Sequence, residues 1–521
     1  MDIQIPAFGE TDFSEGMSNR NTRIVNIPSA GESTFLSYCR LLEDSGYTKK
    51  EARRNGSHSY AAFCQGNTGV FLNLYGTLEE LNIAIEENCG YFGFEDRFGE
   101  IIVPPQITQV YLEDFGMSYA IRLSDGRFIV IDGGWGFEPD IQELLRVLRE
   151  GTPNGKPVVA AWFLTHPHRD HHLCFANIVS RYADALVIEK ILLNYPEADD
   201  LERYPELQKE DWRVDGTASI YRVPQMLEDA QRLGIPAYEP HTGQIYRIGD
   251  ATCEILSCLD DTVLISGHIN PTSLVIRMEL GGQVILWTAD TAFSISRLAE
   301  RYGSYLRADI MQVPHHGFQS GEAQGEILGY ELVKPETCFL PVSDYHAYTE
   351  YCTYREGSRY VMTKLGIGEL IVGDRSRTIT LPYSPPTYAR EELRKKYLAG
   401  LDNSGACTWV FTDLDTSNGE DFRFSFLNMT NTTAEVMIDI YFDDTKRNLS
   451  CIKACITPRS FRKLCITDEN DIVANSAYFN SRRLDVLGIP ENASFAVRFI
   501  SSCPVVISNK NHSAAYRSEN R

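Results

Sequence analysis

Four of the eleven histidines in the chain, His166, His168, His171 and His172, fall within seven consecutive positions that also hold Asp170. Imidazole and carboxylate together can exchange protons near neutral pH or hold a divalent cation. In His166-Pro167-His168 an extended backbone points both rings to one side, and Asp170 and His171 then turn back around the same point. That arrangement can feed two adjacent ions. The donor set suits Zn²⁺ first, and Mn²⁺ or Fe would fit the same ligands. Closing such a site takes two further pieces. Asp290 follows an apolar strand expected over 283–289, and Pro314-His315-His316-Gly317 follows one expected over 309–313. The chemistry implied is hydrolysis of a small ester, lactone, amide or phosphoester by a water whose pKa the two ions lower, without a side-chain nucleophile.

These residues need elements that end at one place. A hairpin is expected over 118–132, ending in Asp132-Gly133-Gly134, followed by a helix over 140–150 and a β-rich run over 158–164 that delivers the histidines. Asp132 reads either as an acceptor behind a ligating histidine or as a corner residue of its Gly-Gly turn. Further strands are expected over 110–111, 253–257, 273–280, 336–342 and 369–372. Upstream, a polar tail (1–22) leads into a small α+β domain (23–105). That domain is read as a helix over 33–45, strands over 23–27, 59–64 and 70–75, and a second helix over 78–87. His58 there reads as an edge histidine and Cys64 as a core thiol. A linker (384–405) with a charged helix over 390–397 then precedes seven short strands over 406–510, the pattern of a β-sandwich, and a tail (511–521). Tyr345, His346, Tyr348 and Tyr351 make an aromatic loop that reads as a pocket wall or as ordinary loop.

The order Asp-Gly-Gly, HxHxDH, strand-Asp, strand-His-His-Gly resembles the metallo-β-lactamase superfamily over residues 106–383. More narrowly, Asn270-Pro271-Thr272-Ser273-Leu274-Val275, Trp287-Thr288-Ala289-Asp290 and Val313-Pro314-His315-His316-Gly317 resemble its ComEC-like and phosphorylcholine-esterase-like branch. The resemblance implies an α+β, αββα fold, in which two sheets form a sandwich flanked by helices. It also implies that His166 and His168 hold one metal, that Asp170 and His171 hold a second, and that Asp290 bridges them. One of His315 and His316 completes the second site, and the other faces the substrate. Asp170, His315 and His316 are the residues expected to take part in catalysis. The family pattern has one more histidine, a third ligand of the first metal. In the interval concerned this chain offers His172, His241 and His268, of which His268 stands best. Residues 407–509 resemble the sensory rhodopsin transducer family, through Trp409, Phe424–Asn428 and the run Phe495-Ala496-Val497-Arg498. That resemblance implies oligomerisation or binding of a small ligand or sugar, with Asn428 and Arg498 as contacts, against the plainer reading of strand-end polar residues.

The whole-chain numbers narrow the partners. A length of 521 residues exceeds what one core supports. A net charge of −22 without a basic run argues against nucleic acid as a partner. No membrane span and no export signal is read in the sequence, and thirteen cysteines without CxxC pairs suit reduced thiols in a cytoplasm. The reading is a cytoplasmic hydrolase of a small phosphoester. Its alternatives are a lactone or thioester hydrolase and a non-enzymatic ligand sensor.

Overall fold

Apolar runs bounded by turn residues set most of the architecture. A computed structural model of the protein describes residues 13–16, 21–197, 200, 203–204, 220–260, 269–317, 323–342, 367–386, 407–417, 422–428, 431, 433–443, 449–466, 493–503, 505–509 and 516–518. These fall into two compact units, one holding the described residues up to Val342 together with 367–386, the other those from Cys407 onward.

The first unit opens with strands β1 (Ser14–Glu15) and β2 (Thr22–Ile27), helix α1 (Glu32–Asp44), and strands β3 (Thr48–Asn55), β4 (His58–Gln65), β5 (Thr68–Tyr75) and β6 (Glu80–Glu86). They make one antiparallel sheet in the order β1-β2-β6-β5-β4-β3. The segment read as a second helix is strand β6. Leu81, Ile83 and Ile85 alternate with Asn82 and Ala84, and pairing with β2 and β5 on both sides overrides the helix propensity of Leu, Ala and Glu. His58 is likewise not at an edge. The polar strand β3, unread in the sequence, covers that flank of β4, and the His58 ring is 1% exposed, with Nε2 3.1 Å from Asn73 Oδ1. Cys64 is only half-buried.

Next come β7 (Gln106–Gln109), β8 (Ser118–Arg122), β9 (Phe128–Asp132), α2 (Glu138–Gly151), β10 (Val158–Phe163), α3 (Arg169–Arg181), β11 (Val187–Ile188), β12 (Ile191–Leu192) and β13 (Ala237–Tyr238). After them run β14 (Ile245–Ile248), β15 (Ala251–Ser257), β16 (Val275–Leu280), β17 (Gln283–Trp287), β18 (Ile310–Gln312), β19 (Thr337–Leu340), β20 (Glu369–Val372) and β21 (Arg377–Thr380). One sheet has the order β13-β12-β10-β9-β8-β7-β21 with β11 beside β10, and a second has the order β14-β15-β16-β17-β18-β19-β20. The strand expected at 110–111 lies earlier, as β7.

Period-two alternation divides the strands of the first of these sheets between two cores. Ile129, Ile131 and Phe163 face inward and pack with Ile255, Ile276, Trp287 and Phe339 of the second sheet. Val130, Val159 and Trp162 face outward and pack with Ile141, Leu144 and Leu148 of α2 and Phe175 and Ile178 of α3. The metallo-β-lactamase fold expected of this region, two sheets with helices outside, is what the chain adopts.

The N-terminal sheet docks on this body. Asn73 donates to the Thr242 carbonyl at 3.0 Å, Thr22 donates to Glu239 at 2.7 Å, and Arg53 pairs with Glu254 at 3.0 Å. At the joint Gly243 has φ +92°, and a Cβ there would lie 2.2 Å from the Tyr60 ring.

The second unit contains β22 (Cys407–Asp415), β23 (Arg423–Asn428), β24 (Ala434–Phe442), β25 (Leu449–Ile456), β26 (Ser460–Cys465), β27 (Ser494–Ser501), β28 (Val505–Asn509) and β29 (Tyr516–Ser518). Two sheets, β25-β24-β27-β22-β29 and β26-β23-β28, contribute to a core of Trp409, Phe411, Phe424, Phe426, Ile438, Val497 and Phe499. The segment read as a terminal tail supplies an eighth strand, β29, paired with β22. Among the described residues no helix is long and apolar enough to cross a membrane.

Candidate metal centre

The site is built where strands of both sheets end. Asp132 closes β9, the histidine run follows β10, Asp290 follows β17, and His315 and His316 follow β18. The Leu274 amide donates to the Thr165 carbonyl at 3.0 Å, tying the two sheets together beside it. Asp132, Ala289, His315 and His316 all take positive φ, between 47° and 54°. Non-glycine residues adopt this conformation only when the surroundings impose it, and such strain gathers at functional sites.

Two sets of ligand atoms result. Asp170, His171, Asp290 and His316, all buried, form one; His166, His168 and Asp290 form the other. Asp290 belongs to both. His171 Nε2 and His316 Nε2 lie 3.2 and 3.3 Å from Asp290 Oδ2, His316 Nε2 lies 3.2 Å from Asp170 Oδ2, and His166 Nε2 lies 3.6 Å from Asp290 Oδ2. A tetrahedral ion with bonds of about 2.0–2.1 Å separates its ligand atoms by about 3.4 Å, which is the spacing present here. Nε2 of His166 and of His171 and Oδ1 of Asp290 are buried without a hydrogen-bond partner among the described residues. Buried polar atoms left that way are costly unless something occupies the space between them. The donor set therefore fits divalent cations.

The groups behind the ligands fix their tautomers. Asp132 Oδ2 lies 2.8 Å from His171 Nδ1 and accepts from Thr165 Oγ1 at 2.7 Å, while Asp132 Oδ1 accepts the Thr165 amide at 2.8 Å. Thr165 Oγ1 in turn lies 3.2 Å from His166 Nδ1. With Nδ1 of both rings engaged as donors, Nε2 is left to face the site. Asp132 thus serves both readings of the sequence, since it also shapes its turn through the bond from Trp162 Nε1 to its carbonyl at 2.9 Å. On the other sheet Gln312 plays the matching part. Its Oε1 accepts the Thr288 amide at 2.9 Å and its Nε2 donates to the Ala289 carbonyl at 3.2 Å, holding the chain that presents Asp290.

The electrostatics follow from packing three carboxylates against four rings. Burial works against a charge on His171, yet Asp290, Asp170 and Asp132 hold its pKa well above the ordinary histidine value. His316 is opposed by burial in the same way and is raised to about 9 by Asp290 and Asp170. Asp290 is pushed up by burial but held well below the usual carboxylate range by His171 and His316. A pocket that retains protons this strongly is one that a divalent cation can claim by displacing them.

His315 belongs to neither ligand set. Its Nε2 is 3.9 Å from Asp290 Oδ2 and accepts from Asn270 Nδ2 at 3.2 Å, and burial lowers its pKa to about 4, so the ring is neutral at pH 7. The third-ligand candidates are not at the centre where they are described. His172 is buried with its ring 6.1 Å from Tyr195, and His241 lies 3.1 Å from Glu86 at the joint with the N-terminal sheet. His268 and the loop residues Tyr345, His346, Tyr348 and Tyr351 lie outside the described residues, as does the helix expected over 390–397.

Beside the set that holds His316 stands an aromatic wall absent from the sequence reading. The Phe115 ring meets His316 edge-on at 5.5 Å, Trp135 meets Phe115 at 5.6 Å, Phe137 stacks on Trp135 at 5.8 Å, and the Arg169 guanidinium lies 5.3 Å over the Trp135 ring. In the second unit Asn428 donates to the Ile456 carbonyl at 2.9 Å, and Arg498 donates to Tyr441 Oη at 2.6 Å and pairs with Asp439 at 3.3 Å. Both side chains are engaged within the sandwich.

Residues 112–324 match the family model described as the Metallo-beta-lactamase superfamily. The chain carries a metallo-β-lactamase superfamily domain. That domain contains every ligand candidate above. Among solved structures, the chain is similar to the diiron β-hydroxylase CmlA from Streptomyces venezuelae, at 13% identity and a TM-score of 0.32, covering 54% of this chain and 55% of that one. It thus spans about half the length of CmlA. It is also similar to the DIM-1 metallo-β-lactamase exposed to ceftazidime, at 12% identity and a TM-score of 0.21, covering 59% and 98% of the two chains. The Anabaena sensory rhodopsin transducer matches at 19% identity and a TM-score of 0.16, covering 20% of this chain and 83% of its own. No curated protein matches the chain.

Proposed function

We propose that this metallo-β-lactamase superfamily domain is a metal-dependent hydrolase acting on a small phosphoester. The observation that carries the reading is the buried Asp290 carboxylate, shared by two ligand sets whose spacing suits a pair of ions. Divalent cations held there, zinc first and manganese or iron on the same donors, would polarise the ester and acidify a water. The protein's own groups do the rest. Asp132 and Thr165 hold the protons of His171 and His166 on Nδ1. Asp170, seated between His171 and His316, is placed to orient the attacking water. His315, neutral and partly exposed beside Asn270, is placed to meet the substrate. The ComEC-like features of the sequence support a phosphoester over a β-lactam. The buried thiols of Cys39, Cys174, Cys253, Cys258 and Cys338, outside any disulfide, support a reducing cytoplasm, and the sandwich is proposed to bind a small ligand or to join copies of the chain.

The test is metal analysis followed by assays of phosphodiester, phosphomonoester and lactone model compounds with the wild type and Asp170→Ala. Asp170-dependent phosphoester turnover is expected. Turnover of the lactone alone would replace the substrate class, and bound metal without Asp170-dependent turnover of any compound would favour a sensor.

A further inference from the structure

Arg169 is the first residue of α3 and sits between the ligand candidates His168 and Asp170. In a chain of net charge −22, other well-buried arginines of this unit are paired with carboxylates: Arg127 with Asp96 and Asp125, Arg301 with Asp260, and Arg53 with Glu254. Arg169 is half-buried, its Nε is shielded from solvent without a hydrogen-bond partner, and no carboxylate pairs with it among the described residues. Its contact is the face of Trp135, which belongs to the aromatic wall that reaches His316 through Phe115. Stacking on a ring fixes the plane of a guanidinium while leaving its edge of N–H groups open, and that edge matches the oxygens of a phosphate or carboxylate two at a time.

Resting on the hydrolase reading above, we infer that Arg169 is the anion-binding residue of the site and selects a negatively charged ester over a neutral one, with Trp135 as the residue that positions it. Among the described residues no carboxylate forms an ion pair with the guanidinium, which leaves the substrate to supply the opposite charge.

Binding, measured apart from turnover, tests this. Calorimetric titration of the metal-loaded protein with inorganic phosphate is compared with acetohydroxamic acid, which is uncharged in solution and chelates metals as its hydroxamate without offering phosphate oxygens to a guanidinium. Arg169→Gln should weaken phosphate by about 10- to 100-fold, the loss of one or two charge-assisted hydrogen bonds. Acetohydroxamic acid should stay within about two-fold, with metal content kept. Arg169→Lys and Trp135→Leu should fall between, because one keeps charge without the fork and the other keeps the fork without its support. Unchanged phosphate affinity in Arg169→Gln overturns the assignment, as do equal losses for both ligands. If Arg169→Gln fails to fold, unchanged phosphate affinity in both Arg169→Lys and Trp135→Leu overturns it. A wild type that ignores phosphate also overturns it, whatever the turnover assays say of the hydrolase reading. Arg169-dependent phosphate binding without phosphoester turnover would uphold this inference and defeat that one.

Discussion

Asp290 is the side chain common to both ligand sets, and the sets differ in what else they hold. Removing it should therefore cost more than removing any one imidazole. Asp290→Ala is expected to lose both ions, while His316→Ala keeps the ion on the His166–His168 side; elemental analysis of the purified variants reads the difference. An Asp290→Ala protein with full metal content would sink the two-set arrangement. Asp132 touches no ion itself, so Asp132→Asn is expected to lower metal affinity or turnover by about 10- to 100-fold with the fold retained. Circular dichroism and a chelator competition together check that. Much at this scale was legible in the sequence. The histidine run is local, and Asp290 and the His315–His316 pair announce themselves at the ends of apolar strands, although only the ligand geometry separates His316 from His315. Thr165, Gln312 and Arg169 were not, because their importance depends on partners 23 or more positions away, or on a wall assembled from two loops.

Strands β3, β4 and β6 show where element-level reading failed and why. The charged strand β3 is not legible as a strand in the sequence, where His58 reads as an edge histidine; in the structure its ring packs on Tyr75 and Tyr302, and that burial lowers its pKa to about 4. The sign is fixed by that depression. A histidine whose folded pKa lies below its unfolded value of about 6.5 binds fewer protons when folded. The stability tied to its neutral form is present above pH 6.5 and lost as pH falls toward 4. Urea melts of the wild type should therefore lose up to about 3 kcal/mol more than those of His58→Gln between these limits. Parallel pH profiles for the two proteins would remove His58 from the account. In the same sheet, Gly243→Ala combines a left-handed backbone with a clash against the buried Tyr60 ring. A loss of about 2–4 kcal/mol is expected, read as a lowered urea midpoint. A variant as stable as the wild type would mean that the N-terminal sheet does not rest on that joint.

Across the whole molecule, the ligand candidates come from both halves of the sandwich, His166 to His171 following a strand of one sheet and Asp290 and His316 following strands of the other. Chelation should therefore lower the melting temperature of the first unit and leave that of the second unchanged, and calorimetry with and without a chelator separates the two transitions. Equal shifts in both would show that the ions stabilise something other than this centre. The bond from Leu274 to Thr165 puts the same point in another currency, that of chain entropy. An ion gripped by His166 and Asp290 or by His171 and His316 closes a loop of more than 100 residues, which is a tether acting on the unfolded chain as a disulfide would. Unlike a disulfide it can be withdrawn. The supply of metal would then set not only whether the domain can react but how long it survives unfolding and proteolysis.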